Sequence, residues 1–116
     1  MKAPENIQEL TQRAKDFAVK GGCALNSGHL LLAVLTGHGP ASNTLTLRGI
    51  TETGLRGQLR EACDEPKDVL DRVRSKAEQI GKSFKTSSIN SIHVLAAIAA
   101  VKECRGYQML AVAGLN

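Results

Sequence analysis

Two nine-residue stretches of the chain repeat at a distance of 64 positions, and this duplication limits the folds available to it. Asn26-Ser27-Gly28-His29-Leu30-Leu31-Leu32-Ala33-Val34 matches Asn90-Ser91-Ile92-His93-Val94-Leu95-Ala96-Ala97-Ile98. Each copy has a small polar residue where a helix cap is expected, a His two residues later, and then an apolar run. Downstream, Leu45-x-Leu47-x-Gly49-Ile50 is echoed one residue further on by Leu110-x-Val112-x-Gly114-Leu115. Upstream, each copy has an amphipathic segment followed by Gly. A helix that is apolar nearly all round must sit inside a core. One half alone would leave such a helix uncovered, so the two halves are expected to stack.

The apolar period is helical throughout. Ile7, Leu10, Ala14, Phe17 and Ala18 share one face of a first helix, with Pro4 near its start and Gly21-Gly22 at its end. Ser27 is expected to cap a second helix, 28–36, closed by Gly37. Pro40 opens a third, stopped by Gly49, and Thr51 caps a fourth with Leu55, Leu59, Ala62 and Cys63 in its stripe. Pro66 opens a fifth, with Val69, Leu70, Val73, Ala77 and Ile80 on one face and Gly81 after it. A polar loop spans 82–88. Ser91 is expected to cap a sixth helix from Ile92 to about Glu103, and a seventh runs from about Arg105 to Ala113. No segment alternates with a two-residue period, which argues against a sheet. The fold class expected is all-α: seven helices, eight at most, in two related repeats of four with the second truncated. The chain, residues 1–116, forms one domain, with repeat one at about 5–63 and repeat two at about 66–116, lacking its last helix.

Composition narrows the function classes. Aromatics are 3% of the chain, namely Phe17, Phe84 and Tyr107, too few for a surface of stacked bases or sugars. Net charge is +4, from 15 basic and 11 acidic residues, and the excess is two in each half. Arg56, Arg60, Lys67, Arg72, Arg74 and Lys76 alternate with Glu61, Asp64, Glu65, Asp68 and Asp71. Mixed signs at helical spacing read as a solvated face and argue against nucleic acid as a partner. The longest apolar stretch, Val94 to Val101, is eight residues, short of a membrane span. The first six residues lack the apolar segment of a secretory signal, and cytoplasmic localisation is expected.

Candidate chemistry is sparse. Cys23, Cys63 and Cys104 are odd in number and widely spaced, without a C-x-x-C pair, so neither a disulfide framework nor a metal site is expected. Gly81-Lys82-Ser83 lacks the upstream Gly of a phosphate loop, since Ala77 stands there, and no cofactor is implied. His29 and His93 fall in the first turn of buried helices, where a ring nitrogen can satisfy backbone. Ser27 and Ser91 lack a positioned base and read as caps rather than nucleophiles. Phe84, between Ser83 and Lys85, either anchors a partner peptide or folds back onto the core, and the core is preferred.

The order of amphipathic helix, Gly, polar turn, Ser-x-His-Leu-Leu-Leu-Ala-Val-Leu, loop and a helix ending Leu-x-Gly-Ile, seen twice, resembles the double Clp N-terminal repeat. That domain precedes the ATPase rings of Clp-type AAA+ unfoldases such as ClpA, ClpC and ClpB. The resemblance runs from about Glu5 to Leu115. It implies a non-enzymatic docking domain whose partners are adaptor proteins or unfolded substrates, passed to an ATPase ring in cis or in trans. Where the family usually reads Gly-Thr-Glu-His, this chain has Asn26-Ser27-Gly28-His29 and Asn90-Ser91-Ile92-His93. The carboxylate with which ClpC-like members pair the guanidinium of phosphorylated arginine is therefore absent from both copies. The family's Phe-Thr opening is replaced by Ala3-Pro4, and the chain reads as a piece of a longer protein or a shortened free-standing version. Partner-binding residues expected are Ser27, Gly28, Ser91 and Ile92 from the resemblance and Phe84 and Lys85 from the 82–88 loop, with no catalytic and no metal-binding residue. The alternatives are a free-standing protein that sequesters adaptors, a regulatory module for a small ligand or nucleic acid, and a metal-dependent hydrolase using His29, His93 and a cysteine.

Overall fold

The computed structural model of the chain describes residues 7–22, 24–37, 40–61, 67–83, 91–102 and 104–112. They form seven α-helices and no strand: α1 (Ile7–Gly21), α2 (Ser27–Thr36), α3 (Pro40–Leu47), α4 (Glu52–Glu61), α5 (Lys67–Ser83), α6 (Ser91–Ala100) and α7 (Arg105–Val112). The all-α fold of seven helices expected from the apolar period is the fold observed.

The helices pack as two corresponding sets. α1 lies on α2 as α5 lies on α6, and α2 meets α3 as α6 meets α7. Each central helix also reaches into the other half: α2 packs on α7 and α6 on α3, while α2 and α6 touch each other. The burial pattern repeats with the packing. In α1, Leu10 and Ala14 are buried and Ile7 and Phe17 flank them half-buried; in α5, Val73 and Ala77 are buried between half-buried Leu70 and Ile80. These positions sit three and four residues apart, the spacing that places side chains on one helical face. The core is built from Leu, Ile, Val, Ala and Met side chains, with α2 at its centre: Leu30, Leu31, Leu32, Ala33 and Val34 are all at most 1% exposed.

Three boundaries differ from the sequence reading. α2 begins at Ser27 and its cap is Asn26, whose side-chain oxygen accepts from the N–H groups of Gly28 (2.7 Å) and His29 (3.3 Å). α5 does not stop at Gly81 but continues to Ser83, so the segment beginning at Lys82 starts as helix. Gly costs a helix about 1 kcal/mol relative to Ala; Gly81 is buried, and packing keeps the helix going. α6 stops at Ala100, short of Glu103, because the chain must reverse into α7. The Cys104 N–H donates to the Val101 carbonyl (3.1 Å), and the Cys104 sulfur accepts from the Tyr107 N–H (3.3 Å) in the first turn of α7.

α3 ends as Gly49 suggested. Gly49 has φ +82°, the left-handed region open to Gly without a Cβ clash. The Ile50 N–H donates to the Leu45 carbonyl and the Gly49 N–H to the Thr46 carbonyl. This Schellman arrangement brings buried Ile50 back toward buried Leu45.

Candidate functional site

The junction of the two halves is organised by the first turn of α2. Asn26, Ser27 and His29 are each at most 2% exposed, so every polar atom they bring inside needs a partner. Asn26 caps the helix, and the His29 Nδ1 accepts from the Asn26 N–H (3.1 Å), closing a capping box in which His takes the place usual for Glu or Gln. To accept there, Nδ1 must be unprotonated, and this ring nitrogen satisfies a backbone group as the residue's place in the first turn suggested. The Ser27 hydroxyl accepts from the Gly106 N–H (2.7 Å) at the start of α7, a link between residues 79 positions apart. Ser27 is thus not a cap; it ties α2 to the opposite half.

The second copy departs from the first. Ser91 is the first residue of α6, and its hydroxyl is buried without a hydrogen-bond partner among the described residues, so it does not cap either. The position before it, Asn90, lies outside the described residues. His93 is 5% exposed, buried like His29.

Of the residues expected to bind a partner, Ser27, Gly28 and Ser91 are buried and present no surface. Gly28 is closed over completely: a Cβ there would lie 2.8 Å from Leu59 Cδ2 of α4 and 2.8 Å from Met109 Sδ of α7. The space that an acidic side chain would need is filled by these two apolar groups. Ile92, its counterpart in α6, is 44% exposed and remains available. Phe84 and Lys85 lie outside the described residues, as do Cys23 and Cys63. Cys104 is buried and holds the α6–α7 turn.

Concavities among the described residues include the following pair. One, of about 400 Å³, lies between α1, α2 and α4 and is lined by Phe17, Lys20, His29, Leu32, Arg56 and Leu59. The Arg56 guanidinium stands 4.9 Å from the centre of the Phe17 ring and its Nε is 2.8 Å from Glu52. Both ion-pair partners are exposed, so the pair adds little to stability. The hollow combines the apolar side chains of Phe17, Leu32 and Leu59 with Lys20 and an Arg56 already paired with Glu52. The other, of about 690 Å³, runs along α5 past the end of α6 and mixes Asp68, Asp71, Arg72 and Lys76. These four and Arg74 are all exposed, the solvated face anticipated from their alternating signs. Among the described residues no three His, Cys, Asp or Glu side chains converge on a metal-sized site, and no helix is long and apolar enough to cross a membrane.

The feature that the repeat pattern did not bring out is a difference in cover. Every residue from Ser27 to Leu35 is buried, whereas Ile92, Ala96 and Ala99 of α6 are exposed and Leu95 is half-buried. Their counterparts in α2 are Gly28, Leu32, Leu35 and Leu31; α4 packs on α2 with Leu59 over Gly28 and lines a hollow together with Leu32. The substitutions Gly to Ile and Leu to Ala between the copies were the available signal.

The cap makes a direct stability prediction. Asn26→Ala removes the acceptor for two buried N–H groups, and the protein is expected to lose about 1–2 kcal/mol. Urea unfolding followed by circular dichroism measures it; a loss within error of zero would mean that the capping box is not formed in solution. No protein-family model matches the chain, and no curated protein matches it.

Proposed function

We propose that the chain is a non-enzymatic docking module of the Clp N-terminal type. It binds adaptor proteins or unfolded protein segments in the cytoplasm and presents them to an AAA+ unfoldase ring, in cis or in trans. What supports the reading is the reciprocal packing, α2 on α7 and α6 on α3. It accompanies the duplicated sequence pattern that carries the family resemblance. A rigid pair of helical units leaves grooves between helices, and helical grooves accept short partner segments through a few anchoring side chains. The filled space at Gly28 directs the proposal away from phosphoarginine and toward apolar and helical segments.

The test is a pull-down with the purified chain as bait, read by quantitative mass spectrometry. Enrichment of an AAA+ unfoldase subunit, of one adaptor, or of a heterogeneous set of misfolded chains is the expected result. Enrichment that disappears on nuclease treatment would replace this reading with a nucleic-acid one, and no enrichment over bare resin would remove it.

A further inference from the structure

We propose that His29 makes the junction of the two halves acid-sensitive: a proton added to its ring opens the capping box of α2 and loosens α4 and α7, which both rest on that turn. The inference is independent of the docking reading. It starts from the direction of one hydrogen bond. The His29 Nδ1 accepts from the Asn26 N–H at 3.1 Å, and His29 is 2% exposed. In a neutral imidazole one nitrogen donates and the other accepts, so the ring proton is on Nε2 and a second proton goes to Nδ1. Two N–H groups would then face each other across the capping box. The second proton and the hydrogen bond exclude each other. A capping box closed by Gln carries no such conflict.

The surroundings act in the same direction. The ring sits at the N-terminal end of α2, the positive end of the helix dipole. Lys20 of α1 and Arg56 of α4 line the same hollow as His29. Glu52 stands on the far side of that arginine, 2.8 Å from its Nε. Arg13 of α1 donates to the Ala33 carbonyl one turn further along α2, and Arg105 of α7 donates to the Gln58 carbonyl beside Leu59. Glu9, Lys15 and Asp16 of α1 and the described charged residues of α5 are exposed, and Tyr107 of α7 is half-buried. α3 carries no titratable side chain, and α6 carries His93 alone.

The turn that His29 closes carries the contacts between the halves. Gly28 lies under Leu59 of α4 and Met109 of α7, and the Ser27 hydroxyl accepts from the Gly106 N–H at 2.7 Å. A proton on Nδ1 therefore disturbs the seating of α4 and α7 as well as the end of α2. The folded chain resists a proton that the unfolded chain accepts near about pH 6.5. Stability is full above that pH and falls as the pH drops below it, because the unfolded state then binds more protons.

The test is urea unfolding of the full chain between about pH 8 and about pH 5, a range that spans His titration and stays above most of the carboxylate range. The unfolding constant is expected to be flat above about pH 7 and to rise below about pH 6.5 by up to about tenfold per pH unit, the limit for one proton. His29→Gln keeps an acceptor for the Asn26 N–H and is expected to remove that rise, while His93→Gln is expected to leave it. In the parent chain, the protection of the Gly28 and Gly106 amides against hydrogen exchange, read by nuclear magnetic resonance, is expected to fall with pH before that of Leu31. A parent chain equally stable at both ends of the range, a rise that persists in His29→Gln, or a rise that His93→Gln removes would overturn the inference. Should His29→Gln fail to fold, the ring nitrogens of the parent chain decide by their own resonances. Nδ1 of His29 is expected to be unprotonated at neutral pH and to gain its proton only as the Gly106 amide loses protection. A protonated His29 with the Asn26 and Gly106 amides still protected would overturn the inference as well.

Discussion

Gly28→Glu is expected to destabilise the protein by about 3–5 kcal/mol, while Ile92→Glu, the matching change in the other half, is expected to cost under about 1 kcal/mol. The first change places a Cβ 2.8 Å from both Leu59 and Met109 and 2.9 Å from the Asn26 oxygen that caps α2. Overpacking of this kind costs about 1–3 kcal/mol. The carboxylate then either stays buried without a partner or forces α4 off α2, and each route adds to the cost. Replacing Gly in a helix returns up to about 1 kcal/mol, which does not offset these losses. At Ile92 the side chain is 44% exposed, so a carboxylate there remains in water. Urea unfolding of the two variants beside the parent chain checks both numbers. Equal losses would mean that the halves are covered alike.

Leu31→Ala is expected to cost about 3–5 kcal/mol and Leu95→Ala about 1–2 kcal/mol. Leu31 is 0% exposed at the centre of α2, with α1, α3, α4, α6 and α7 packed around that helix, so the cavity left by its side chain has little room to collapse. Leu95 holds the same place in α6 but is half-buried, and water already reaches part of it. The same denaturation measurement decides. A Leu95→Ala loss as large as that of Leu31→Ala would place a cover on α6 that the packing described here lacks.

The helices were legible because their apolar residues keep a strict period and their ends carry Gly or Pro. Leu10, Ala14 and Phe17 could belong only to an amphipathic helix, and Leu30 to Val34 only to a buried one. Gly49 announced a left-handed helix end and supplies one. The capping residue was misplaced by one position because Asn26 and Ser27 are both good caps. What separated them was tertiary: the Ser27 hydroxyl is engaged by the Gly106 N–H from a helix 79 residues away, which no local pattern reports. The pattern points to Gly28 and Ser91 as partner-binding positions, yet Leu59 and Met109 pack over the one and the other is buried, so neither presents a surface. α5 runs past Gly81 for the same reason, since burial outweighs a small backbone penalty. The open side of α6 was written in the copies themselves, in Ile for Gly and Ala for Leu. Its meaning needed the position of α4, which sequence spacing does not give.

Hydroxyl-radical footprinting of the native chain, read residue by residue by mass spectrometry, tests most directly whether α6 is open along the side that is closed in α2, as it is among the described residues. The account predicts that Leu30, Leu31 and Leu32 stay protected until the protein unfolds, that Ile92 is oxidised readily, and that Leu95 falls between them. Equal protection of Ile92 and Leu31, or oxidation of the α2 leucines in the folded protein, would contradict it.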